Sequence, residues 1–338
     1  MSQMLKESLE ASQKVQEFLE KDIELYQRLG NKLRELDPQF VATIARGSSD
    51  HAATYASYLI PMCTGRVVAS IPPSSVTVLK SDLRMKNQCV LAISESGSSP
   101  DILNTFELCK KSGALGISLV NVADSPLAKT ADFFLDQHAG IELGLAATKS
   151  VLCTKAAIAR LAAEWTRDSA LASGLRELPR VLKSAAEKGM TLNENLFEGV
   201  TNVLVISRAL GSGAAFELSL KIKETCGIHA EAFSSAEVRH GPREIVNEKY
   251  AIIALALPGS GKDDVIATAI ELKNQGARVM IVVPDPTFDF NLPTINENRL
   301  YPLVALQMLY PWIARVSQKL GRDPDKPKTL KSKVIHTI

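Results

Sequence analysis

Glu217, Lys221 and Glu224 stand at i, i+4 and i+7, so a helix through them carries all three on one face. That face reads in two ways. It is either a surface ladder of ion pairs, each contributing roughly 0.2–0.5 kcal/mol, or a carboxylate general base with an ammonium group beside it. Downstream, Arg239-His240-Gly241-Pro242 sets a histidine just ahead of a Gly-Pro turn. Histidine titrates nearest neutrality, which suits it to proton transfer; a lone histidine equally suits a structural role.

The other candidate segments are turns of small and hydroxyl-bearing residues. Ser94-Glu95-Ser96-Gly97-Ser98-Ser99-Pro100-Asp101 follows an apolar run and precedes a helical one. Hydroxyls and a glycine around a helix N-terminus, with its free N–H groups and positive dipole end, suit a phosphate. The plainer alternative is a serine-rich N-cap. Gly47-Ser48-Ser49 and the turn from Glu142 to Lys149 are two further strand-to-helix turns able to line the same crevice. Gly259-Ser260-Gly261-Lys262 is not a P-loop, because that motif needs glycine at 256 and Ser or Thr at 263, where the chain has Ala256 and Asp263. The histidines lack zinc-type spacing, so no metal site is expected.

Positioning these turns requires alternating strands and helices. Residues 4–36 read as one amphipathic helix that closes near Asp37-Pro38. Apolar runs at 65–71, 88–93 and 114–121 read as strands, with a helix at 102–113, and this alternation predicts a parallel sheet covered on both faces. The pattern repeats. Residues 90–121 lie over 252–284 with almost no gaps, Asp101 on Asp264 and Gly113 on Gly276, and residues 42–54 lie over 204–216. The chain therefore reads as two copies of one α/β unit joined near 171–195. The second copy has lost the hydroxyls found at Ser94 and Ser96, so a phosphate is expected in the first copy only.

The composition narrows the function class. The 338 residues suggest about two domains, and 39 basic against 37 acidic residues give a net charge of +2. That balance offers no electrostatic case for nucleic acid or an anionic membrane. No apolar stretch is long enough to span a bilayer, and the N-terminus does not read as a signal peptide. The five cysteines are widely spaced and odd in number, which fits free thiols in a reducing cytoplasm.

In combination and order, ARGSSD, SESGSSPD, ELGLAATKS, LKIKETCGIHAEAFSSAEVRHGP and DPDKPKTLKSKV resemble the SIS (sugar isomerase) family. Over nearly the whole chain the likeness is to the isomerase half of glucosamine-6-phosphate synthase and, most of all, to stand-alone SIS-type glucosamine-6-phosphate deaminases. The resemblance implies two tandem SIS domains, each a three-layer α/β/α unit. The expected division is an N-terminal helical segment (1–36), SIS domain 1 (37–175), a helical linker (176–195), SIS domain 2 (196–320) and a C-terminal tail contributing to the active site (321–338).

The resemblance also implies roles. Ser94, Ser96 and Ser99 match phosphate-binding hydroxyls; Glu95 stands where the synthase has glutamine; Ser48 matches a sugar-contacting serine and Leu145 a backbone contact. Glu224 matches the carboxylate that moves the proton between C1 and C2, Lys221 a lysine beside the sugar, and His240 a ring-opening histidine supplied by the neighbouring subunit of a homodimer. The family's imine-forming lysine falls on Ser332 without a gap and on Lys333 with one inserted residue. No cofactor is implied, because the imine serves as the electron sink. The chain begins Met1-Ser2-Gln3 without the synthase's glutaminase region, so the expectation is hydrolytic deamination of glucosamine 6-phosphate to fructose 6-phosphate. The alternatives are a fructosamine-phosphate deglycase, a phosphosugar isomerase, or a non-catalytic sugar-phosphate-binding regulator.

Overall fold

A computed structural model describes residues 1–329. The segment expected to be one helix is two, α1 (Gln3–Leu19) and α2 (Ile23–Leu36). The break falls at Asp22, whose φ of 53° is left-handed and cannot continue an α-helix. Asp37, also left-handed, ends α2 where the sequence predicts the stop.

The first sheet is built from β1 (Phe40–Ile44), α3 (Gly47–Thr64), β2 (Val67–Ser70), α4 (Pro73–Thr77), β3 (Cys89–Ser94), α5 (Pro100–Lys111), β4 (Leu115–Val120), α6 (Pro126–Thr130) and β5 (Phe133–Asp136). Two long helices follow, α7 (Lys149–Thr166) and α8 (Ser169–Gly189). The second sheet comes from β6 (Asn202–Ser207), α9 (Ser212–Lys221), β7 (His229–Ser234), α10 (Ser235–Val238), β8 (Tyr250–Leu255), α11 (Lys262–Asn274), β9 (Arg278–Val283) and β10 (Phe290–Asn291), and α12 (Tyr301–Lys319) follows it.

All pairings are parallel. The strand orders are β2-β1-β3-β4-β5 and β10-β9-β8-β6-β7, which is one topology used twice. The central strands β3 and β8 are buried along their whole length, as parallel strands covered on both faces must be. The correspondence extends to backbone detail. Gly47 and Ala209, each following the arginine after the first strand of its half, have φ of 54° and 51°. Gly113 and Gly276, which lead from α5 and α11 into the next strands, have φ of 94° and 103° and supply the left-handed turn that ends each helix.

Between the sheets lies a helical core. α7 and α12 are buried on nearly every side, and Leu303, Leu306, Tyr310 and Trp312 of α12 are inaccessible to solvent. α1, α8 and α9 pack against α12, and α3 packs against α9, which brings an element of the second half to the mouth of the first sheet.

Candidate active site

In sheets of this order ligands settle beyond the carboxyl ends of the strands, where the order reverses. In the first sheet that point lies between β1 and β3, and a crevice of about 440 Å³ opens there. The turn after β1 supplies Arg46 and Ser48, and the turn after β3 supplies Ser94, Glu95, Ser96 and Ser99. Leu145 enters from the third turn, and Lys221 and Glu224 enter from α9 and its continuation.

The serine turn has a defined shape. Ser94 Oγ accepts from the Gly97 N–H at 3.0 Å, and Ser96 Oγ from the Ser98 N–H at 3.4 Å. Gly97 has a φ of 62°, and a Cβ there would fall 2.2 Å from Ser125 Oγ, so no other residue fits. Ser99 is the N-cap of α5 but makes no side-chain capping bond, and Pro100 occupies the first helical turn. Arg46 holds Asp101 in that turn, with Nε and Nη2 at 3.2 and 3.1 Å from Oδ2.

The opposite wall is charged and buried. Past Lys221, α9 widens into a π-helical stretch, Ile222–Cys226, which carries Glu224. Such widened turns are frequent at functional sites. Lys221 Nζ donates to Glu224 Oε2 at 2.7 Å and lies 3.4 Å from Glu217 Oε1. The surface-ladder reading is excluded, because the side chains of Lys221 and Glu217 are 1% and 0% exposed. Burial works against the Lys221 charge, but Glu217 and Glu224 outweigh it and raise the lysine above its ordinary value. Burial likewise opposes the Glu217 charge; Lys221, His51 and Ser48 together hold that carboxyl below its usual range.

Two features of the site, the hub role of Glu217 and the placement of Gln137, lie beyond the sequence reading. Glu217 is a hub that accepts from Ser48 Oγ at 3.2 Å and Tyr310 Oη at 3.3 Å, and pairs with His51 Nδ1 at 2.8 Å. Gln137 lines the crevice while 1% exposed. Its Nε2 donates to the carbonyls of Ser94 and Leu119, each at 3.2 Å, while its Oε1 is buried without a partner among the described residues.

The Leu145 turn is braced from two sides. Glu142 is buried and accepts from Thr148 N at 2.8 Å and from the Ser150 hydroxyl. Glu7 of α1 accepts from the N–H groups of Leu143 and Gly144 at 2.6 and 3.0 Å.

An SIS domain model matches residues 39–163. A candidate phosphosugar isomerase of Silicibacter pomeroyi is 33% identical, with a TM-score of 0.89 over 96% of this chain and 100% of that one. The chain belongs to the SIS domain family. The glutamine–fructose-6-phosphate aminotransferase (isomerizing) of Thermus thermophilus is 27% identical over 97% of this chain, which spans 60% of that relative's length. A glucosamine-6-phosphate deaminase of Thermotoga maritima is 20% identical with a TM-score of 0.82, a likeness of fold.

Of the residues that the SIS resemblance implicates, Ser48, Ser94, Glu95, Ser96, Ser99, Leu145, Lys221 and Glu224 all meet at the crevice. His240 does not line it; it is exposed in the turn after α10 of the same chain. Ser332 and Lys333 lie outside the described residues. Among the described residues no cluster of His, Cys, Asp and Glu could hold a metal ion, and no helix is long and apolar enough to cross a membrane.

Proposed function

We propose that the crevice binds a hexosamine 6-phosphate and that the chain converts glucosamine 6-phosphate and water to fructose 6-phosphate and ammonia. One observation carries this reading: the serine turn and the Lys221–Glu224 pair face one another across a single crevice. The hydroxyls of Ser94, Ser96 and Ser99 and the start of α5 hold the phosphate. Anchoring the far end of the sugar presents its first two carbons to Glu224 and lowers the entropic barrier. The charged lining residues balance, Arg46 and Lys221 against Glu95 and Glu224. An amine on the substrate, carried as ammonium, lessens the charge of the phosphate ester such a lining must accept.

His240, supplied by the second subunit of a homodimer, opens the ring. Glu224 then removes the C2 proton and returns it to C1 through an enolamine, and water hydrolyses the resulting C2 imine to release ammonia. In this reading residues 37–175 and 196–320 are two SIS domains of a cytoplasmic enzyme. Incubation with glucosamine 6-phosphate, following ammonia and fructose 6-phosphate together, tests it. Equal release of both is expected, and a rearranged sugar without ammonia, or no turnover, refutes deamination.

One observation favours a second reading, cleavage of a fructosamine phosphate. A neighbouring groove of about 390 Å³ shares Gly47 and Leu220 with the crevice and is lined by Lys223 and Glu231. A substituent on the substrate nitrogen has room there. Faster turnover of N-substituted fructosamine 6-phosphates than of glucosamine 6-phosphate would select this alternative.

A further inference from the structure

The repeated topology gives the second sheet its own switch point, between β6 and β8, and a second cavity of about 360 Å³ opens there. The two cavities are built alike. Each lies beyond the turns that follow the first and third strands of its half, and each is closed by a helix from the other half. In the catalytic crevice that helix is α9 with its continuation, which contributes Leu220 and Glu224. In the second cavity it is α3, which contributes Tyr58 and Met62. When Arg46 is laid on Arg208, Tyr58 falls on Leu220 and Met62 on Glu224.

The chemistry differs at each of these places. Met62 replaces the general base, Leu210 stands where Ser48 stands, and Leu257-Pro258 occupies the turn that carries the serines in the first half. A cavity without acid, base or hydroxyl cradle binds without turning over. Its walls, Tyr58, Met62, Leu210 and Leu257, suit a flat apolar body.

One charged group is kept, and it is held differently. Arg46 makes two bonds to Asp101. Arg208 reaches Asp264 only through Nη1 at 3.4 Å, because Ser235 and Arg239 already bond that carboxylate. The other arginine of the cavity, Arg299, is committed to Glu297 and Asp168 at 2.6–2.8 Å. Arg208 therefore keeps donors for an incoming anion, and its stem is fixed against Gly261, where a Cβ would fall 2.4 Å from its Cγ.

We infer that this cavity is a second ligand site, for a small organic anion with an aromatic or apolar body whose acidic group pairs with Arg208. The inference goes beyond the reaction proposed above and does not depend on it. The probe is 8-anilinonaphthalene-1-sulfonate, titrated by fluorescence into the full chain with inorganic phosphate at saturating concentration to occupy the serine turn. One saturable site per chain is expected. Arg208→Gln should weaken it at least about tenfold, equivalent to about 1.4 kcal/mol, and Met62→Glu, at a side chain 66% exposed, should abolish it. Circular dichroism of both variants should match wild type. The absence of saturable binding, or binding that neither substitution weakens, overturns the assignment.

Discussion

Lys221 donates from Nζ to Glu224 Oε2 across 2.7 Å, at the point where α9 gives way to a π turn. The same ammonium lies 3.4 Å from the buried Glu217. One cation is thus shared by a carboxylate that faces the crevice and another that faces the core. This arrangement fixes the position of Glu224 without withdrawing it from the crevice, since its side chain stays 20% exposed.

Replacement of Glu224 by Gln keeps the shape and a hydrogen-bond partner for Lys221 while removing the base. If Glu224 carries the proton between the first two carbons, turnover of glucosamine 6-phosphate should fall by about 10²–10⁴-fold. Substrate affinity should stay within a few-fold, because the phosphate turn is untouched. Steady-state assays of fructose 6-phosphate release check this, and turnover near wild type would remove Glu224 from the mechanism.

Glu217 has a different task. Its loss leaves Lys221 with one carboxylate and strands the Ser48 and Tyr310 hydroxyls. Glu217→Leu should therefore cost about 3–5 kcal/mol, as for removal of one member of a buried ion pair. Adding Lys221→Met to Glu217→Leu should restore part of that stability, because a buried ammonium left with a single carboxylate partner is gone. Denaturant unfolding of the two single variants and the double variant measures the coupling.

Lys155 predicts a pH dependence. It is fully buried in α7, its Nζ donates to the His51 carbonyl at 3.1 Å and lies 5.2 Å above the Tyr55 ring, and burial pushes its ammonium down to about 7 despite the attraction of Glu217. Between about pH 7 and the ordinary lysine value of 10.5 the unfolded chain binds a proton there that the folded chain does not. Stability should thus rise with pH across that window, and the full penalty is present below it. Lys155→Met should be the more stable protein at pH 6 and lose that advantage as the pH approaches 10. Unfolding of both proteins at several pH values checks the slope; a difference independent of pH would show that Lys155 is charged throughout.

The repeat was legible because its signals are local. An apolar run, a small-residue turn and a helix recur, and the serine turn and Ser48 fall where strand ends must converge, whereas Lys221 and Glu224 were legible as one face of a helix. The features that escaped depend on tertiary context. Nothing between Phe18 and Ile23 is a glycine or proline, so the left-handed Asp22 left no mark on the helical period. The π turn spans Ile222–Cys226 without a distinctive residue, because its shape follows from packing. Glu217 was legible as one member of the face it shares with Lys221 and Glu224, but its burial was not, because that arises where α3, α9 and α12 meet. Gln137 stands just after β5 in an unremarkable stretch, and only the fold brings it under Ser94.

His240 provides the sharpest test of the assembly, because it is exposed and does not line its own chain's crevice. If it acts in the site of a second subunit, each complete site combines Glu224 of one chain with His240 of the other. Glu224→Gln and His240→Ala should each be nearly inactive alone. A mixed dimer then has one site with both groups intact and one with neither. Random subunit exchange makes about half of the dimers mixed, so activity should recover to about a quarter of wild type. Action of His240 within its own chain predicts no recovery, since no chain in the mixture carries both groups. Assay of the unfolded and co-refolded mixture against separately refolded variants distinguishes the two outcomes.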